Sequence, residues 1–190
     1  MIDKSVICIG GSAGSIPIIM RILASLPASF DYTIIIVLHR LKNVKSEMAT
    51  LLAAGRKDLK ISEPEDKEPV QKNHIYLAPQ NYHLLIEDDK IFSLDYSEPV
   101  NNSRPSIDVS FQSVASVYKS EGLCILLSGA NDDGAAGASA VLHHGGKVIV
   151  QDPQTAEYPQ MPQSAIDMNK NISIRTVTEI VNDFVHSNFN

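Results

Sequence analysis

Side chains able to attack a carbonyl or carry a proton recur where apolar runs of this sequence end. Ser12 lies in Gly10-Gly11-Ser12-Ala13-Gly14, a G-x-S-x-G that closes the run beginning at Ser5. That pattern presents a nucleophilic serine on a sharp strand-to-helix turn, and its glycines supply backbone angles that a Cβ opposes. A helix starting just after Ser12 aims free N–H groups and partial positive charge at any oxyanion formed there. The same residues also suit a plain tight turn or a phosphate cradle. His39 follows the run Tyr32–Leu38, and Asn131, Asp132 and Asp133 follow Leu123–Leu127. Taken singly, His39 suits a surface position at a strand end, and either aspartate suits a cap for the helix that begins near Ala135. Taken jointly, a serine, a histidine and an acid are the set needed for nucleophilic catalysis. The serine attacks, the imidazole takes its proton, and the carboxylate fixes the imidazole tautomer. The chain order Ser, His, Asp differs from the Ser, Asp, His order of α/β-hydrolases.

The surrounding elements decide whether such groups can meet. Ser5–Ile9, Tyr32–Leu38, Leu123–Leu127 and Lys147–Val150 are short, apolar and free of polar alternation, as suits strands buried on both faces of a parallel sheet. Helices are expected over Ile16–Leu26, with Pro17 in the first turn and Pro27 ending it, and over Ser46–Ala54, Ile107–Ser120, Ala135–His144, Ser164–Met168 and Val177–Ser187. Ser106 is expected to cap the helix that follows it, with Asp108 in the favourable first turn. Leu59–Ser62 suits a further strand. His74–Ala78, His83–Glu87 and Ile91–Tyr96 suggest an antiparallel ribbon or edge extension, Glu63–Val70 a surface loop, Pro99–Pro105 an irregular loop, and Gln151–Gln163 a proline-rich loop. Alternating strands and helices give an α/β fold, doubly wound, with a mostly parallel sheet, helices on both faces and an antiparallel ribbon or edge. Ligands bind outside the carboxyl ends of the strands in such sheets. Ser12, His39 and the Asn131–Asp133 loop all fall at that rim.

The 190 residues suit one domain, 1–190, and 44% hydrophobic with 20% charged residues is ordinary globular material. A net charge of −6 disfavours a nucleic-acid partner. No leader-like segment and no long apolar run stands in the sequence, which points to a cytoplasmic protein without membrane insertion. Cys8 and Cys124 sit in apolar runs and are expected as core thiols. His74, His83 and the pair His143-His144 lack metal-ligand spacing, so no metal is expected. The dinucleotide fingerprint fails at Ser12 and Ser15, and the P-loop lysine is missing, so no cofactor is expected. Arg104 is a lone basic residue expected in solvent, with the alternative that it meets an anionic substrate group.

The segments Ile9–Ser15 (IGGSAGS), Leu38–Arg40 (LHR), Ile75–Pro79 (IYLAP), Ser103–Phe111 (SRPSIDVSF), Leu127–Gly137 (LSGANDDGAAG) and the MP within Gln160–Ile166 together resemble the catalytic domain of the CheB protein-glutamate methylesterases. They stand in that family's order and span nearly the whole chain. The resemblance implies Ser12 as nucleophile, His39 as base and Asp133 as the orienting acid, since the family's acid directly precedes Gly-Ala-Ala-Gly. It implies hydrolysis of γ-glutamyl methyl esters, with deamidation of glutamines beside it. The partner would be a methylated chemoreceptor or another methylated protein, with a receiver domain in trans as a further partner. It implies backbone donors near Ala13 and Ala130 for the oxyanion. Ala13, Ser15 and Ala130 stand where many relatives carry threonine, glycine and methionine, which opens the alternative of an inactive binding module in a sensory complex. Relatives usually carry an N-terminal receiver domain. Met1 lies close before the first strand here, so activity of this chain is expected to be independent of phosphorylation within it.

Overall fold

A computed structural model describes residues 5–40, 47–170, 172–186 and 189. The elements run β1 (Val6–Gly11), α1 (Ile16–Ser25), β2 (Thr33–Leu38), α2 (Met48–Ala53), β3 (Ile61–Ser62), β4 (His74–Leu77), β5 (His83–Ile86), β6 (Phe92–Asp95), α3 (Ile107–Tyr118), β7 (Gly122–Leu126), α4 (Ala135–His143), β8 (Lys147–Gln151), α5 (Gln160–Met168), β9 (Ser173–Arg175) and α6 (Val177–His186). Seven strands form one parallel sheet in the order β3-β4-β2-β1-β7-β8-β9, and β5 with β6 forms a separate antiparallel ribbon. The fold is therefore the α/β class that the alternating elements indicate.

Strand alternation divides the core in two. Cys8, Val37, Cys124, Leu126 and Val150 face a layer that includes Phe111 and Val114 of α3, Val141 of α4, Ala165 of α5 and Phe92 of the ribbon. Ile7, Ile9, Ile36, Leu77 and Ile125 face a second layer that includes Ile19 and Ile22 of α1 and Ile180 and Phe184 of α6. Inner strands covered on both faces need no polar positions, which is why β1 and β2 read as unbroken apolar runs. Cys8 and Cys124 are register partners on β1 and β7, both buried as free thiols. No described helix is long and apolar enough to cross a membrane.

Several sequence expectations are corrected. His74–Leu77 does not join the ribbon: β4 lies inside the main sheet, parallel to β2 and β3. The crossover from β3 to β4 contains no helix, so no helical period advertises a parallel neighbour. β9 is a new edge strand whose side chains are half or fully exposed, leaving no apolar signature. α5 begins at Gln160 rather than Ser164, with Pro162 in its first turn, where a missing N–H costs little. Ser46 and Ser187, the expected ends of two helices, lie outside the described residues.

α3 crosses β1 at Gly10 so closely that a Cβ there would meet Ile107 Cγ2 at 2.5 Å and Phe111 Cζ at 3.2 Å. Gly10→Ala should destabilise the protein by about 1–3 kcal/mol, the usual effect of overpacking a filled core. Urea unfolding measures it, and an unchanged midpoint would contradict this packing.

Candidate active site

The carboxyl ends of three adjacent strands assemble the site. β1 and β2 pair in register at Gly11 and Leu38, so Ser12 and His39 are the next residues out on each strand. The neighbouring backbones stay linked beyond the strands: His39 N–H donates to Gly11 O at 3.3 Å, and Ser12 N–H donates to Ser128 O at 2.9 Å. Gly14 has φ +79° and lets the chain turn into α1. Ser15 is fully buried, and its hydroxyl donates back to Ser12 O at 2.7 Å. Ser128 pins the turn from the β7 side, its hydroxyl donating to Ala13 O at 2.8 Å. The Ser12 turn is thus held by backbone and two buried hydroxyls.

His39 Nε2 and Asp133 Oδ2 are 2.8 Å apart, with the carboxylate fully buried and the imidazole 13% exposed. Asp133 also accepts from Ile107 N at 2.7 Å, Ser106 Oγ at 2.8 Å, Asp108 N at 3.1 Å and Asn101 Nδ2 at 3.1 Å. The carboxylate therefore sits on the N-terminus of α3, where unsatisfied N–H groups and the helix dipole favour an anion. Burial alone would push the Asp133 carboxyl up, but the hydrogen bonds from His39, Ile107, Asp108 and Ser106 outweigh it and hold the group below the usual carboxylate range. An ionised carboxylate only accepts, so Nε2 carries the imidazole proton and Nδ1 keeps the lone pair.

Nδ1 is met by Ser103 Oγ at 3.4 Å. Among the described residues, Ser12 makes no hydrogen bond to the ring, so the expected direct link is not formed. Such links in hydrolases often tighten only when substrate is seated. The N–H groups of Ala13 and Ala130 have no acceptor among the described residues, and both residues are exposed. Ala130 lines an open cavity of about 600 Å³ with Asn131, Asp132, Tyr158, Pro159 and Gln160. At Gly129, next to Ala130, a Cβ would strike Met161, and the Gly129 N–H and C=O bond Tyr158 O and Met161 N.

Two expectations shift. Arg104 is half-buried rather than solvated: Nη1 donates to Tyr96 O at 3.0 Å and Ser97 O at 2.6 Å, and the guanidinium lies 3.9 Å from the Tyr96 ring centroid. The segment before it is no irregular loop. Asn101 and Asn102 both adopt positive φ between a reciprocal pair of Val100–Ser103 backbone bonds, a tight two-residue hairpin. The Asn-Asn pair was the available signal. This turn brings Asn101 to Asp133 and Ser103 to His39, two contacts that the sequence does not advertise. His83 is structural: Nδ1 accepts from Ser106 N at 3.1 Å, and Nε2 lies 3.1 Å from Glu98 O. His74 stacks on Tyr76 and bonds Ser62, away from the site.

Comparison with known proteins gives one consistent picture. The family model described as CheB methylesterase matches residues 7–184. A protein of Leptospira interrogans is 42% identical over 179 residues, which is 94% of this chain and 92% of its own length. The protein-glutamate methylesterase/protein-glutamine glutaminase of Thermotoga maritima is 32% identical over 87% of this chain, and the match spans 49% of that relative. Several further relatives are likewise matched over about half their length. The crystal structure of the Thermotoga maritima CheB methylesterase catalytic domain superposes with a TM-score of 0.89 at 30% identity, covering 97% of this chain and 98% of that one.

Proposed function

This chain belongs to the CheB methylesterase family, and from that premise we propose that it is a carboxylic ester hydrolase acting on γ-glutamyl methyl esters of chemoreceptors or related signalling proteins, with glutamine deamidation as a companion reaction. Residues 1–190 act as one catalytic unit in the cytoplasm. The observation that carries the reading is the 2.8 Å His39–Asp133 pair beside the G-x-S-x-G turn, on one sheet rim.

The chemistry follows from these groups. Ser12 Oγ attacks the ester carbonyl as His39 Nδ1 takes its proton. The carbonyl oxygen becomes an oxyanion and accepts from the unspent N–H groups of Ala13 and Ala130; each such donor contributes roughly 3–4 kcal/mol to barrier lowering. Collapse expels methanol, which takes the proton from the imidazolium, and leaves an acyl-enzyme. Water, deprotonated by the same nitrogen, attacks that ester and frees Ser12 and the glutamate. With glutamine as substrate the leaving group is ammonia. Asp133 stays ionised throughout and supports the imidazolium. The cavity beside Ala130 accommodates residues flanking the glutamyl group, and Arg104, next to Ser103 in the chain, is the cation offered to an anionic group of the substrate.

The test is release of methanol from a methylated receptor cytoplasmic fragment by the purified chain. Methanol release with ordinary saturation kinetics is expected. Retained receptor binding without methanol release would instead make the chain a binding module.

A further inference from the structure

The first turn of α3 and the start of α4 exchange carboxylates. Asp133, just before α4, sits on the N-terminus of α3. Asp108, in the first turn of α3, sits on the N-terminus of α4 and accepts from Gly134 N at 2.9 Å and Gly137 N at 2.6 Å. The two acids are joined by one amide: Asn101 Nδ2 donates to Asp108 Oδ2 at 2.8 Å and to Asp133 Oδ1 at 3.1 Å. Asp108 N–H itself donates to Asp133 Oδ1. The helices can approach this closely because Gly137 has no side chain: a Cβ there would stand 2.6 Å from Phe111 Cβ and 3.0 Å from Asp108 Cα.

An ordinary helix start has no need of this. α4 has no side-chain cap from its own residues, since its N-cap is Gly134. Its cap comes from Asp108, 26 residues earlier, and binds the peptide N–H immediately after Asp133. Two carboxylates buried within reach of one amide repel, and burial together with Asp133 pushes the Asp108 carboxyl up despite its hydrogen bonds. Such a pairing is costly to hold and gains its worth from what it fixes.

We propose that Asp108 is a positioning residue for the His39–Asp133 pair, holding the backbone that follows Asp133 through Gly134 and Gly137 and holding the carboxylate through Asn101. This rests on the reading of Ser12, His39 and Asp133 as the catalytic set. Asp108 touches no reacting atom. Its effect is to keep Asp133 Oδ2 within hydrogen-bonding distance of Nε2, so that Nδ1 stays the basic nitrogen. Displacement of a catalytic group by about 1 Å can cost on the order of a hundredfold in rate.

The test uses the whole chain with two readouts. One is the rate at which Ser12 is labelled by a fluorophosphonate, with Ser12→Ala as the blank. The other is the proton NMR resonance of the His39 Nε2–H, which reports the bond to Asp133 without any reaction. Asp108→Asn keeps the shape and removes the charge; it should slow labelling about ten- to a hundredfold and broaden the Nε2–H resonance through faster exchange with water. A wild-type rate with a sharp resonance would overturn the proposal, as would slow labelling with the resonance unchanged. If Asp108→Asn does not fold, Asn101→Gly serves, because residue 101 is exposed and has φ 50°, which glycine adopts freely. It removes only the shared amide and should slow labelling several-fold with the same broadening; wild-type behaviour in both readouts would overturn the proposal. Absence of Ser12 labelling in the wild type would defeat the nucleophile assignment while the NMR readout still decides the role of Asp108.

Discussion

Ser12→Ala is expected to abolish methanol release and fluorophosphonate labelling while leaving the fold intact. The Ser12 side chain is half-buried and makes no hydrogen bond among the described residues, and the turn is held by other groups. Stability should therefore stay within about 0.5 kcal/mol of wild type, as for substitutions away from packed features. Removing a serine nucleophile that acts with its base as a unit costs on the order of 10⁶ in kcat. What remains comes from binding and from the donors at Ala13 and Ala130. The measurement is methanol release alongside thermal unfolding of wild type and variant. Turnover within tenfold of wild type would remove Ser12 from the mechanism.

Asp133→Asn should reduce both activity and stability, and the two losses separate by their pH dependence. The amide keeps one acceptor oxygen for Ile107, Ser106 or Asp108, but it no longer offers a carboxylate to His39 Nε2. Loss of the orienting acid costs roughly 10⁴ in kcat in serine triads through the wrong imidazole tautomer. Stability should fall by about 3–5 kcal/mol, as when one member of a buried pair is removed. Asp133 is held below the usual carboxylate range in the folded protein. Its stabilising contribution is thus present above the unfolded carboxyl pKa and is lost as pH falls through the lower folded value. Urea unfolding should show the wild-type advantage at full size near neutrality, narrowing in acid. A stability difference that does not change between neutral and acid pH would mean that the carboxylate is not preferentially ionised in the fold.

The Ser12 turn, with the proposed nucleophile at its crown, is legible because its signals are local: a buried strand, three glycines and a helix start lie within a dozen residues. The parallel sheet is legible for the same reason, strand by strand. What stays hidden lies in contacts between distant segments. Asn101 meets Asp133 across 32 residues, and Asp108 caps a helix that begins beyond Gly134. From the sequence alone, Asp108 serves its own helix, because a first-turn aspartate ordinarily does. Only the approach of α3 to α4 at Gly137 shows that it serves the neighbour. β4 escapes notice for a related reason, since a crossover without a helix carries no period to announce parallel pairing.

The separation of His39 from Asp133, 94 residues along the chain, has a consequence during synthesis. The hydroxyl and imidazole leave the ribosome long before the carboxylate, and β7, which must slot in beside β1, follows late as well. On the proposed mechanism the set is complete only once β7 has docked beside β1 and brought the acid's loop with it.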